Sequence, residues 1–196
     1  MSSNTDMRQQ CALLWKFTGF FLRPPLRLLH AVLLVGVPVQ CLLGFGGSLR
    51  GRRGMGRMLM DAHVLCGAAL TVGVVLFVLY CLRERGVRRY FSYLWGDTAK
   101  LREDIAATLR LHVVPPRPGG LAVAVQGLVL AMLTLTALSG ILWYMLRGGG
   151  RVAHFFKQTH ELAALLLCCF FAVHAVMALR NFFLWQRKTA PQRDVS

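Results

Sequence analysis

"QTHELAALLLCCFFAVHAVMALR", residues 158–180, is a segment that no soluble protein would leave exposed, yet it holds His160 and His174. Between 162 and 179 it contains no Asp, Glu, Lys or Arg, and the stretches 28–49, 64–82 and 118–146 are equally free of them. Each approaches or exceeds the ~20 helical residues needed to cross a ~30 Å hydrocarbon layer. With 196 residues, 56% of them hydrophobic, the chain is too apolar for a soluble fold of its size. It also has nothing spare with which to cover four such helices in water. The expectation is therefore an all-α integral membrane protein, a four-transmembrane-helix bundle forming one membrane domain over 1–196. Its spans are expected at about 27–48, 58–82, 119–146 and 154–182.

The net charge of +15 raises the question of nucleic acid, but the cations crowd beside the apolar segments. Of 23 Lys and Arg residues, sixteen lie in the N-terminal segment, the 83–117 loop and the C-terminal end, against seven in the other two loops. The positive-inside rule then predicts that both termini and the 83–117 loop are cytoplasmic. The charge reads as topology, and no nucleic-acid partner is expected. The polar start "MSSNTDMRQQ" lacks a basic n-region and a following cleavage site, so the first span is expected to be retained.

Residues 1–25 read as an interfacial segment, because "ALLWKFTGFFLRPPLR" (12–27) mixes aromatics with cations and ends its helical potential at Pro24 and Pro25. In the 83–117 loop, Leu101, Ile105 and Leu109, with Leu111 close by, predict a short amphipathic helix stopped by Pro115 and Pro116. The six cysteines include no C-x-x-C pair and no C-x-x-C-H motif, so they are expected to pack rather than react, and any haem would be held without thioether bonds.

Histidine inside a membrane is costly and is by default a site candidate with a partner to be found. His30 opens the first span, His63 the second and His160 the fourth, and His174 lies deep in the fourth. The fourteen-position separation of His160 and His174 turns a helix to within about 40° of the same face over ~21 Å. The up-down topology puts His63 level with His160 on the outer side and His30 level with His174 on the inner side. Two imidazole pairs at two depths suit two six-coordinate haem irons better than zinc, which would want four ligands at one depth. Gly36, Gly44, Gly67 and Gly73 could line the haem faces or simply let helices approach. His112 and His154 are not expected to be ligands.

This arrangement, with "PPLRLLHAVLLVGVPVQCLLGF" (24–45) and the loop "YFSYLWGDTAKLREDIAATL" (90–109), resembles the four-helix cytochrome b subunits of membrane formate dehydrogenases, their gamma subunits. That family is related to bacterial cytochrome b561 and to hydrogenase b-type cytochromes. The resemblance implies two haem b groups on His30, His63, His160 and His174. It also implies an iron-sulfur electron-transfer subunit and a catalytic dehydrogenase subunit as partners, and a quinone as acceptor. Where family members often carry Asn-x-Gly-Gln before the third span, this chain reads "PPRPGGLAVAVQG" (115–127), so a quinone would sit near Gly119, Gly120 and His174. The expected role is an electron-transfer subunit in the bacterial inner membrane, multi-pass among membrane lipid. Two other readings remain: a self-contained cytochrome b561-type oxidoreductase taking electrons from a small donor such as superoxide, and a haem-free membrane anchor.

Overall fold

The computed structural model describes residues 2–51, 53–110, 112 and 114–189; Arg52 and Leu111 lie outside the described residues. The described residues form helices and no strand. They are α1 (Ser2–Gly19), α2 (Pro24–Arg50), α3 (Met55–Arg85), α4 (Val87–Tyr90), α5 (Ala99–Leu109), α6 (Leu121–Met145) and α7 (Gly150–Thr189), with a 3-10 turn at Ser92–Trp95. Four of them, α2, α3, α6 and α7, are long and apolar enough to cross a membrane.

The punctuation of these helices follows local chemistry. Pro24 and Pro25 occupy the first turn of α2, where the missing N–H would have had no helical partner. Gly86 ends α3 with a φ of 76°, which a side chain would resist, and its N–H donates to the Leu82 carbonyl. Pro38 sits inside α2 without ending it, a tolerance usual in membrane helices, where neighbours and local adjustment satisfy the freed carbonyl.

α2 packs along α3 and α6 along α7, and α3 touches α6, whereas α2 and α7 meet at few points. The bundle is thus two hairpins joined along one side and held apart along the other. Leu33, Val37, Val74, Phe77, Leu130, Leu133 and Leu167 form the apolar seam between them. Most other large apolar side chains on these helices, such as Leu42, Leu65, Leu79 and Val176, point outward, as a lipid-facing surface requires. The end of the bundle that carries residues 83–117 is called the loop end below, and the other the far end.

α7 runs past both limits of the expected 154–182 span. Its extension at the loop end meets α1, where Phe17 packs edge-on to Phe182 at 5.4 Å and against Trp185 at 5.6 Å. Phe17 is therefore buried, while Leu14, Trp15, Phe20 and Phe21 stay exposed on the same segment, so α1 both docks on α7 and presents an apolar face.

The 83–117 loop is tied to the bundle by the buried Tyr90, whose backbone lies against Gly127 of α6, and by one carboxylate. α5 forms where the periodicity predicts it, but it is anchored by Asp104, which is only 2% exposed. Asp104 Oδ2 accepts the Leu121 backbone N–H at 2.9 Å and so caps the first turn of α6 from a distance. Its Oδ1 accepts from Arg117 Nε and a terminal guanidinium nitrogen at 3.0 and 2.6 Å, and Glu103 takes Arg117 at 2.7 Å. Hydrogen bonds to Asp104 first, then to Glu103, raise the pKa of Arg117. A Cβ at Gly120 would strike Asp104 Oδ2, so glycine is needed there for the cap to close. Asp104→Ala is expected to lower stability by about 1–2 kcal/mol through the lost cap. Glu103→Gln, on a solvent-exposed pair, is expected to have a small effect. Thermal unfolding of the detergent-solubilised protein distinguishes the two.

Candidate functional site

The gap between the hairpins is where the four predicted histidines meet, two by two. α2 begins at the loop end with His30 on its second turn, and α7, arriving from the far end, brings His174 opposite; the ring centres stand 6.4 Å apart with planes at 72°. At the far end, His63 of α3 faces His160 of α7 at 6.1 Å and 74°. His112 and His154 are exposed and join neither pair. Among the described residues no cluster of three or more His, Cys, Asp or Glu side chains forms; the chemistry available is that of facing imidazole pairs.

The gaps have a meaningful width. A metal-bound imidazole nitrogen stands about 2 Å from its metal and the ring centre about 1 Å beyond, so two imidazoles on opposite sides of one ion have centres about 6 Å apart. Both pairs match that spacing. Stacked or hydrogen-bonded imidazoles would need no such equality at two separate depths.

The far-end pair is held by its surroundings. His63 Nδ1 donates to the backbone carbonyl of Gln40 on α2 at 3.0 Å, and His160 Nδ1 donates to that of Thr136 on α6 at 2.8 Å. Each bond fixes the tautomer, leaving Nε2 unprotonated as a ligand atom, and makes the ring a stronger electron donor. Glycine allows the approach: a Cβ at Gly44 would lie 3.0 Å from the His63 ring, and one at Gly140 2.8 Å from His160 Nδ1. The Trp143 ring lies 6.3 Å from that of His160.

The loop-end pair differs. His30 and His174 make no hydrogen bond among the described residues; the Phe77 ring, 6.0 Å from His30, is what packs beside them. One turn before His30, Arg27 lies over Trp15 at 5.3 Å, and its Nε is buried without a partner among the described residues. Between the two levels, the Cys41 and Cys168 sulfurs approach to 3.2 Å and join α2 to α7 by a thiol hydrogen bond. Both cysteines therefore take part in packing, as expected of them.

Of the four glycines singled out in the sequence, only Gly44 borders a histidine. Gly36 faces Leu70, Gly67 faces the Gln40 side chain, and Gly73 has nothing nearby. Gly140, which does face His160, was not among them, although its position on the third span one turn after Thr136 was open to inspection. The Thr136 contact is made by a backbone carbonyl, which every residue possesses, so no sequence signal marks it. The Gln40 side chain, by contrast, also lies against His63 and Gly67, and a polar residue inside an apolar span was a signal available in the sequence. Gly119 and Gly120 lie at the entry to α6 against Asp97, Ser92 and Asp104, on the loop-end side but packed on the 83–117 segment rather than on His174.

A family model described as prokaryotic cytochrome b561 matches residues 22–192. The chain belongs to that family, which implies haem b binding and makes this a multi-pass membrane protein of electron transfer. No curated protein and no solved structure matches it. Gly140→Val is expected to displace the His160 ring and lower the haem b content of the purified protein. Gly73→Val, made where space is open, is expected to leave it unchanged; a pyridine haemochrome assay on both variants reads the difference.

Proposed function

We propose that this member of the prokaryotic cytochrome b561 family holds two haem b groups, one on His30 and His174 and one on His63 and His160, and carries electrons across a bacterial inner membrane. The observation that carries this reading is the equal, iron-sized width of two imidazole gaps at two depths of one helix. Haem b held by His30 with His174 or by His63 with His160 would supply reversible ferric–ferrous chemistry, and a histidine on each side of the group would direct that chemistry to electron transfer rather than oxygen activation.

The chain's own residues set the terms. Carbonyls of Gln40 and Thr136 orient the far-end ligands, and Phe77 packs beside the loop-end pair. The apolar spans exclude water and lower the local dielectric. Arg27, with a buried Nε lacking a partner, is suited to pair with a haem propionate at the loop end.

On the orientation expected from the charge distribution, the far end faces the extracytoplasmic side. Electrons enter there from an iron-sulfur subunit serving a catalytic dehydrogenase subunit, formate dehydrogenase-like, and leave to quinone at the loop end near His174, the corner at Gly119 and Gly120 being packed on the 83–117 segment. Substrate oxidation belongs to the partner; this chain is the conduit. A second reading is favoured by the description of the matching family itself: a self-contained oxidoreductase passing electrons from a small donor such as superoxide to quinone. Quinone reduction by the isolated protein with such a donor would select it. Co-purification of an iron-sulfur subunit from the native membrane would select the first.

Two haem b per chain are expected by pyridine haemochrome. His63→Ala and His160→Ala should each remove the same haem, and His30→Ala and His174→Ala the other. In a redox titration the haem lost with His63 or His160 is expected to have the lower midpoint potential, because Nδ1–H donation to a carbonyl strengthens its ligands as donors. Loss of both haems from every single variant, or of neither, would contradict the pairing.

A further inference from the structure

At the loop end, cations from three helices face one hollow that the electron-transfer reading does not use. α3 ends with Arg85, α4 supplies Arg88 and Arg89, and α5 supplies Lys100; together with Ser92 and Gly119 they line an open cavity of about 260 Å3. One carboxylate, Asp97, shares the wall. Among the described residues, Arg88, Arg89, Lys100 and Asp97 form no ion pair, in contrast to Arg117 a short distance away, which engages two carboxylates. Cations near span ends are enough to orient a membrane protein, but orientation does not require them to converge on one concavity.

The hollow's surroundings narrow the choice of occupant. Tyr90 lies behind Arg85, and burial, then the neighbouring Cys81, pushes its phenol up to about 12, against the influence of Arg85. It stays neutral and does not offset the cavity's charge. Gly119 has a φ of 78°, so this part of the wall is bare backbone, and the buried Ser92 offers a hydroxyl. The volume falls just short of the roughly 300 Å3 at which drug-sized ligand pockets begin, which suits a phosphate with a small attached group. A neutral quinone carries no net charge for the cluster to balance. Beside the cavity, Val87, Leu94 and Trp95 are exposed on the same short elements, at the level where α3 leaves the bundle and α6 enters it. An apolar flank next to a basic hollow at a helix-end level fits a phosphate that carries acyl chains.

We propose that this hollow binds the phosphate of an anionic phospholipid headgroup, with Arg88, Arg89 and Lys100 as its principal contacts. The acyl chains lie along Val87, Leu94 and Trp95. The site is separate from the histidine pairs and stands or falls independently of the haem reading.

The test uses the purified full chain in neutral detergent, titrated with phosphatidylglycerol or phosphatidylcholine, with retained lipid counted by native mass spectrometry. The wild-type protein is expected to retain phosphatidylglycerol roughly tenfold or more in preference to phosphatidylcholine. The triple variant Arg88→Gln, Arg89→Gln, Lys100→Gln should lose that preference. A far-end triple, Arg50→Gln, Arg53→Gln, Arg57→Gln, removes the same charge and should keep it. Single Arg88→Gln and Lys100→Gln variants should each show a severalfold loss, which keeps the test decisive if the triple folds poorly. Retention of the preference by the loop-end variants, or its equal loss in the far-end triple, would overturn the proposal. Displacement of phosphatidylglycerol by millimolar inorganic phosphate would overturn the lipid as the source and assign the hollow to free phosphate.

Discussion

An imidazole placed in hydrocarbon must find a partner, and four of them must find theirs across a space wide enough for something to stand between. That requirement accounts for the least ordinary feature of the fold, the separation of α2 from α7. Elsewhere the hairpins pack as apolar helices do, through Leu33, Val74, Phe77 and Leu130. Where α2 does approach α7, the facing rings of His30 and His174 and the Cys41–Cys168 thiols are among the contacts. A bundle optimised only for close packing would have closed this gap; here small residues and carbonyls are spent to keep it.

The two ends of the gap are built differently. At the far end each ring is fixed through Nδ1 to a carbonyl of a neighbouring helix, so the geometry is specified by backbone as well as by side chains. At the loop end the rings are held by packing, with the Arg27 cation a turn away. Imidazoles of the first kind are pre-oriented and electron-rich, whereas those of the second adapt more readily.

Much of this was legible in the sequence. Four charge-free stretches of spanning length dictated the helices, and helical periodicity with alternating direction was enough to pair His30 with His174 and His63 with His160 at matched depths. A role carried by the main chain alone was not legible, since the carbonyl of Thr136 has no residue-type signature, whereas Gln40, a polar residue in an apolar span with its side chain against His63, did carry one. Close approach was legible only in part: glycine in a membrane helix has several possible neighbours, and which of Gly36, Gly44, Gly67, Gly73 and Gly140 meets an imidazole depends on helix rotation that spacing does not specify. The Asp104 clamp was hidden for a related reason. A carboxylate in a polar loop looks solvated until the fold brings Leu121 N–H and Arg117 onto it.

α7 carries a ligand for each end of the gap on one unbroken helix of 40 residues, about 60 Å of continuous backbone. It is a lever with two working points: a small tilt that opens one imidazole pair changes the other in the same motion, and no hinge between His160 and His174 can absorb it. The aromatic clasp of Phe17 on Phe182 and Trp185 grips that lever beyond its inner working point. α1 thereby bears on α7 from outside the four spans.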